Sequence, residues 1–131
     1  MHCRAAFGKE LIFDAKVDRI KINDKEHIEK WLRQLVKDVR MDIHEIDGKP
    51  AILLDTWAAP DMGFTYGTSC SILITTSSVS LHTALDDEDT TKGKIFLNLF
   101  SCADYNYDEV LANIKKHWTG VEVTRWLLLD R

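Results

Sequence analysis

Proline occurs only twice and glycine only six times in the 131 residues, which excludes collagen-like and low-complexity disordered chains. Cysteine is also sparse. Cys3, Cys70 and Cys102 are odd in number, widely spaced and free of any CxxC pattern. They form neither a disulfide framework nor a zinc site, and the expected compartment is a reducing one, the cytoplasm. No stretch approaches the ~20 apolar residues needed to cross a bilayer. Met1-His2-Cys3-Arg4-Ala5 lacks the apolar segment of a signal peptide. Basic residues are not in excess: 17 stand against 21 acidic ones, for a net charge of −4. That balance leaves no basic stripe with which to grip nucleic acid. The expectation is a protein without metal, membrane or nucleic-acid partner.

What is present is the material of one core. With 45% hydrophobic and 29% charged residues, and no repeat or linker, residues 1–131 read as a single domain. Residues 9–17 alternate as a first strand, with Leu11, Phe13 and Ala15 on one face and Ile12 opposite. Asn23-Asp24-Lys25-Glu26 reads as a helix start, Asn23 capping and Glu26 closing a capping box. Ile28, Leu32, Leu35, Val36 and Val39 follow at helical spacing. Strands are predicted at about 41–46 and 51–57 around the turn Asp47-Gly48. A loop is expected from Ala58 to about Gly67. Two strands are expected at 70–76 and 79–84 with Ser77-Ser78 at or near the bend between them, and Asp86-Asp87-Glu88-Asp89 reads as a solvated acidic hairpin tip or a cation-binding loop.

Lys94 to Cys102 alternates again, with Ile95, Leu97 and Leu99 against Phe96, Phe100 and Cys102. A second helix starts at Asn106 with Glu109 three residues on, carries Val110, Leu111, Ile114 and Trp118 inward, and stops at Gly120. Val121 to Leu129 makes the last strand. The order strand, helix, strands, helix, strand predicts an α+β two-layer sandwich: a mainly antiparallel sheet with both helices on one face. The opposite face then needs a cover, and Phe96 and Phe100 on it point to a ligand pocket or a second subunit.

The segment from Thr65 to Thr83 is dense in small polar residues and gathers Ser69, Thr76, Ser77, Ser78, Ser80 and His82 near one strand pair. Serine and histidine serve nucleophilic and proton-transfer catalysis, although both are also ordinary strand residues. Here the sequence resembles a known family. Thr75-Thr76-Ser77-Ser78-Val79-Ser80-Leu81-His82-Thr83 is similar to the processing segment of prokaryotic S-adenosylmethionine decarboxylases, a Glu-Ser-His followed by an alternating strand ending in His-Thr. Tyr66-Gly67-Thr68-Ser69 resembles that family's Tyr-Gly-x-Ser, and Leu99-Phe100-Ser101-Cys102-Ala103 its Leu-Phe-Thr-Cys-Gly. Ile114-Lys115-Lys116 and, loosely, Gly8 to Phe13 extend the likeness over nearly the whole chain at low identity.

The resemblance implies a pyruvoyl enzyme of polyamine biosynthesis, a dimer made as a zymogen. In such proteins a serine hydroxyl attacks its own preceding carbonyl, an ester replaces the amide, and β-elimination splits the chain. The serine remnant becomes a pyruvoyl group whose ketone bonds to the substrate amine and takes up the electrons released with CO₂. Carried over, Ser77 is the pyruvoyl precursor, the split falls between Thr76 and Ser77, and His82 and Ser69 assist processing. Cys102 is the acid that reprotonates the product carbon. The departures are specific. Thr76 and Ser78 stand where the family has Glu and His, Ala84 replaces the adenine-stacking aromatic, and about Asp87 to Lys92 is inserted. Phe64, Tyr66 or Trp57 could replace the stacker, and Asp86 could meet a cationic substrate. The implied substrate is S-adenosylmethionine or a basic amino acid such as arginine or ornithine. Two other readings stay open: a non-processing relative that binds a nucleoside or amino-acid ligand or regulates a decarboxylase, and a pyruvoyl-independent S-adenosylmethionine lyase.

Overall fold

A computed structural model describes residues 7–59, 61, 64–75 and 77–131. Cys3 and Thr76 lie outside the described residues, as do the side chains of Ala59, Phe64 and Thr65. The elements are β1 (Lys9–Asp18), α1 (Lys25–Asp38), β2 (Glu45–Ile46), β3 (Lys49–Pro50), β4 (Ile52–Ala59), β5 (Phe64–Ile74), β6 (Ser77–Leu85), β7 (Lys92–Ser101), α2 (Tyr107–His117) and β8 (Glu122–Asp130).

Period-two alternation builds the sheet. Leu11, Phe13, Ala15 and Val17 of β1, Val79 and Leu81 of β6, and Ile95, Leu97 and Leu99 of β7 are all buried on one face. The strands lie in the order β4-β5-β6-β7-β1-β8, with every neighbouring pair antiparallel. β4 to β7 form a meander. α2 then carries the chain from β7 across β1 to β8.

The helices cover the buried face. Ile28, Trp31, Leu32, Leu35 and Val36 of α1 and Val110 and Ile114 of α2 join the same core cluster. Each fully buried aliphatic or aromatic side chain contributes on the order of 1.5–3 kcal/mol, so this seam supplies much of the drive to fold. The architecture is the α+β sandwich expected from the alternation. The other face carries Ile12, Asp14, Ser69, His82, Phe96 and Leu127, and no element among the described residues covers it.

Several boundaries differ from the sequence reading, each for a local reason. Asp24, not Asn23, caps α1: its Oδ1 accepts from the His27 N–H at 3.1 Å. Asn23 is diverted inward, where its Oδ1 accepts from the hydroxyls of Thr68 and Thr83 at 2.9 and 3.2 Å. The expected strand at 41–46 shrinks to an Ile43–Ile74 bridge and the two-residue β2. Asp47 and Gly48 do turn β2 into β3, with φ of 52° and 78°. The expected loop of 58–67 is largely strand, because β5 runs on to pair Phe64 with Ala59. Ser77 and Ser78 belong to β6, pairing with Ile74 and Leu73, so the bend precedes them. α2 stops at His117, with Trp118 already extended, and Gly120 (φ +63°) turns the chain two residues later.

Asp86 is a further correction to the acidic tip, because it is only 1% exposed. Its carboxylate accepts from the Glu88 N–H at 3.0 Å and pairs with Lys16 at 3.1 Å. Arg19 ties the loop down by donating to the carbonyls of Asp86 and Lys92.

Candidate active site

β5 and β6 place Ser69 directly opposite His82 on the open face of the sheet. The Ser69 Oγ lies 2.8 Å from His82 Nδ1. From the edge strand β4, the indole N–H of Trp57 donates to the same Oγ at 2.9 Å. Beneath them the strands are pinned by buried polar groups. The Thr68 N–H donates to Thr83 Oγ1 at 2.9 Å, and both threonine hydroxyls donate to Asn23. Burying these groups without partners would cost about 1–3 kcal/mol each, so the network holds the register that sets the Ser69–His82 pair.

The register continues this row across the sheet: His82 stands opposite Phe96, Phe96 opposite Asp14, and Asp14 opposite Arg125. A shallow groove of about 330 Å³ is lined here by Ile12, Asp14, Ser80, His82, Phe96 and Asn98. A second hollow of about 230 Å³, lined by Asp14, Lys16, Lys94, Phe96 and Thr124, adjoins it through Phe96. Asp14 and Asn98 escaped the sequence reading. Strand parity puts them beside Phe96, but only the β1–β7 register brings them to His82.

Ser77 and Cys102 meet elsewhere. Ser77 opens β6, half-buried, and its Oγ accepts from the backbone N–H of Cys102 at 3.1 Å. Cys102 is half-buried just past the end of β7. The neighbouring Ser101 is fully buried, and its Oγ accepts from the Ala103 N–H at 3.1 Å. Gly8 closes the far side of this corner: a Cβ there would fall 2.6 Å from the Ser101 carbonyl oxygen. The contact therefore needs glycine for space.

The expected convergence of four side chains on one hydroxyl does not occur within one chain. Ser77 and His82 are five residues apart on one strand, an odd number, so they face opposite sides of the sheet. They are also about 16 Å apart along it. The chain thus carries two separate pairs, Ser69–His82 on the open face and Ser77–Cys102 at the helix-side corner.

Tyr66 is 47% exposed and stands one strand position beyond Gly67. Asp86 is buried beside Lys16, with the charge of Lys94 near it. Its carboxyl is held below the ordinary carboxylate value, first by the Glu88 N–H and then by Lys16. Cys70 is buried and its thiol is pushed up to about 11 by desolvation, which keeps it inert. Among the described residues, no group of three or more His, Cys, Asp or Glu is placed to hold a metal.

No curated protein matches the chain. A sequence model of S-adenosylmethionine decarboxylase does, over residues 9–125, from the start of β1 into β8. The matched span includes both pairs, Ser69–His82 and Ser77–Cys102. On that match, the chain belongs to the S-adenosylmethionine decarboxylase family.

Proposed function

We propose that the chain is a self-processing, pyruvoyl-dependent decarboxylase of a carboxylated amine, with S-adenosylmethionine as first candidate and a basic amino acid as second. Processing falls between Thr76 and Ser77. The observation that carries this reading is the Ser77–Cys102 contact. It holds the hydroxyl of the proposed precursor against the backbone N–H of Cys102, at the first residue of a strand. These residues fit a pyruvoyl group made from Ser77. When formed, that group supplies a ketone that withdraws the electrons released with CO₂. In this reading the thiol of Cys102 delivers the proton to the product carbon. Work in the cytoplasm and a role in polyamine synthesis accompany this reading.

The separation of the two pairs bears on assembly. Neither Ser69 nor His82 reaches Ser77 of its own chain, and in this reading the Ser69–His82 pair that serves Ser77 belongs to a second copy. We place the protein as a homodimer in which the Ser77–Cys102 corner of one copy meets the Ser69–His82 pair of the other. Exposed Phe96, Leu127 and Leu129 on the open face support such a contact, at 39%, 45% and 40% exposure. In the groove, Phe96 takes the stacking role that Ala84 lacks. Asp86 is buried and bound to Lys16, so it acts on a cationic substrate only through its charge.

The same separation favours one second reading. If the chain stays monomeric, neither Ser69 nor His82 reaches Ser77, and the groove serves a non-processing binder of a nucleoside or amino-acid ligand. Intact-mass measurement of freshly purified protein decides between the two. Fragments of residues 1–76 and 77–131, the latter carrying a ketone that hydroxylamine converts to an oxime, support the decarboxylase. A single uncut chain that is stabilised thermally by S-adenosylmethionine supports the binder and overturns the decarboxylase.

A further inference from the structure

We propose that Trp57 is a positioning residue that fixes His82 in its Nε2–H tautomer, acting through the Ser69 hydroxyl. An indole N–H can only donate, and that of Trp57 points at Ser69 Oγ from 2.9 Å. Among the described residues, the Oγ has one other hydrogen-bond partner, His82 Nδ1 at 2.8 Å. If Nδ1 carried a proton, two donors would face one oxygen and the serine proton would have no protein acceptor. With Nδ1 bare, every group is satisfied: Trp57 donates to Ser69, and Ser69 donates to His82. The remaining imidazole proton then sits on Nε2.

The indole is held for this task by packing as well. It lies over Gly67, where a Cβ would come 2.4 Å from the ring atom Cζ2. Gly67 is not required by its backbone angle, since it is absent from the positive-φ residues; it leaves room for the ring. Trp57 is also the last residue of β4 before the register slips, so the strand is still regular where the ring leaves it.

The consequence deepens the function proposed above. Neutral His82 offers a donor rather than a base from Nε2, suited to an acceptor oxygen such as a carboxylate. Its basic nitrogen is reached only through Ser69. A proton arriving on the second lone pair of Ser69 Oγ moves the hydroxyl proton onto Nδ1 and leaves an imidazolium.

The tautomer is read in the uncleaved chain, so it holds or fails independently of self-processing. The experiment is a long-range ¹⁵N–¹H correlation on ¹⁵N-histidine-labelled protein at about pH 8.5, where histidine is ordinarily neutral, with His82 assigned by its loss in His82→Gln. The expected result is Nε2–H in the native chain. Trp57→Phe should then move the ratio about tenfold toward Nδ1–H, the change one hydrogen bond commands. A native Nδ1–H form, or an unchanged ratio in folded Trp57→Phe, overturns the proposal. If that variant does not fold, the native indole resonance decides. An exchange-protected Trp57 N–H that loses its protection in Ser69→Ala supports the relay, and one indifferent to Ser69 overturns it.

Discussion

The hydroxyl of Ser77 accepts a hydrogen bond from the main-chain N–H of Cys102, although 25 residues separate them. The bond joins the first residue of β6 to the residue just past β7, across the antiparallel pair that sets their register. It uses the peptide of Cys102 and not its thiol. The geometry around Ser77 and the proton chemistry of Cys102 can therefore be separated by substitution.

Cys102→Ala is the first such separation. The main-chain donor to Ser77 survives, so processing should proceed and both fragments should appear by mass. Decarboxylation should fall by on the order of 10²-fold or more, the usual loss when a general acid is removed. Loss of cleavage together with turnover would show that the thiol acts in processing instead.

Phe96→Ala tests the groove. Stacking a base on an aromatic face is worth roughly 1–3 kcal/mol, so affinity for an adenine nucleoside should drop about tenfold or more. Fluorescence titration with S-adenosylmethionine on the uncleaved Ser77→Ala chain measures it without turnover. An unchanged affinity would move the nucleoside away from the His82 row.

Asp86 sets a pH prediction. Its carboxyl titrates below its ordinary value because the Glu88 N–H and Lys16 hold the charged form. The stability it contributes is complete above the unfolded value near about 3.9 and is lost as pH falls through the lower folded value. Asp86→Asn keeps an acceptor for Glu88 but gives up the charge. The variant should melt below the native protein at neutral pH, and the gap should close in acid. A gap that is constant with pH would mean the turn, not the ion pair, is what matters.

The fold was legible because its signals are local. The alternation of Leu11, Phe13, Ala15 and Val17, and the helical spacing of Ile28, Leu32 and Leu35, each need only one element to be read. The Asn106–Glu109 capping box is equally local, and both of its hydrogen bonds are formed. The cap of α1 was misassigned for the opposite reason. Asn23 is drawn away by Thr68 and Thr83, partners 45 and 60 residues distant. The site divides in the same way. Ser69, Ser77, His82 and Cys102 stand out as residues, and the Ser69–His82 pairing follows from a hairpin. Trp57 depends on the β4–β5 register, and Asp14 on the β1–β7 register, neither of which any motif encodes. The parity of Ser77 and His82 was readable once both lay on one strand. Starting the second strand at Val79 left Ser77 outside it and hid that five-residue, opposite-face relationship.

That relationship yields the most demanding test of assembly. In one chain, Ser77 and His82 face opposite sides of the sheet, so a site that uses both takes them from different copies. Ser77→Ala alone has no precursor, and His82→Ala alone has no imidazole in either site, so each homodimer should remain uncut. Co-expressed, the two variants form mixed dimers. In these, the intact Ser77 of the His82→Ala chain faces the intact His82 of the Ser77→Ala chain. One site per mixed dimer is then complete, and cleavage should appear only in the His82→Ala chain, in about half of that chain if pairing is random. Mass spectrometry distinguishes the chains by their substitutions. Cleavage of His82→Ala on its own would show that its imidazole is dispensable. A mixture that forms dimers yet stays uncut would show that the two pairs do not share a site.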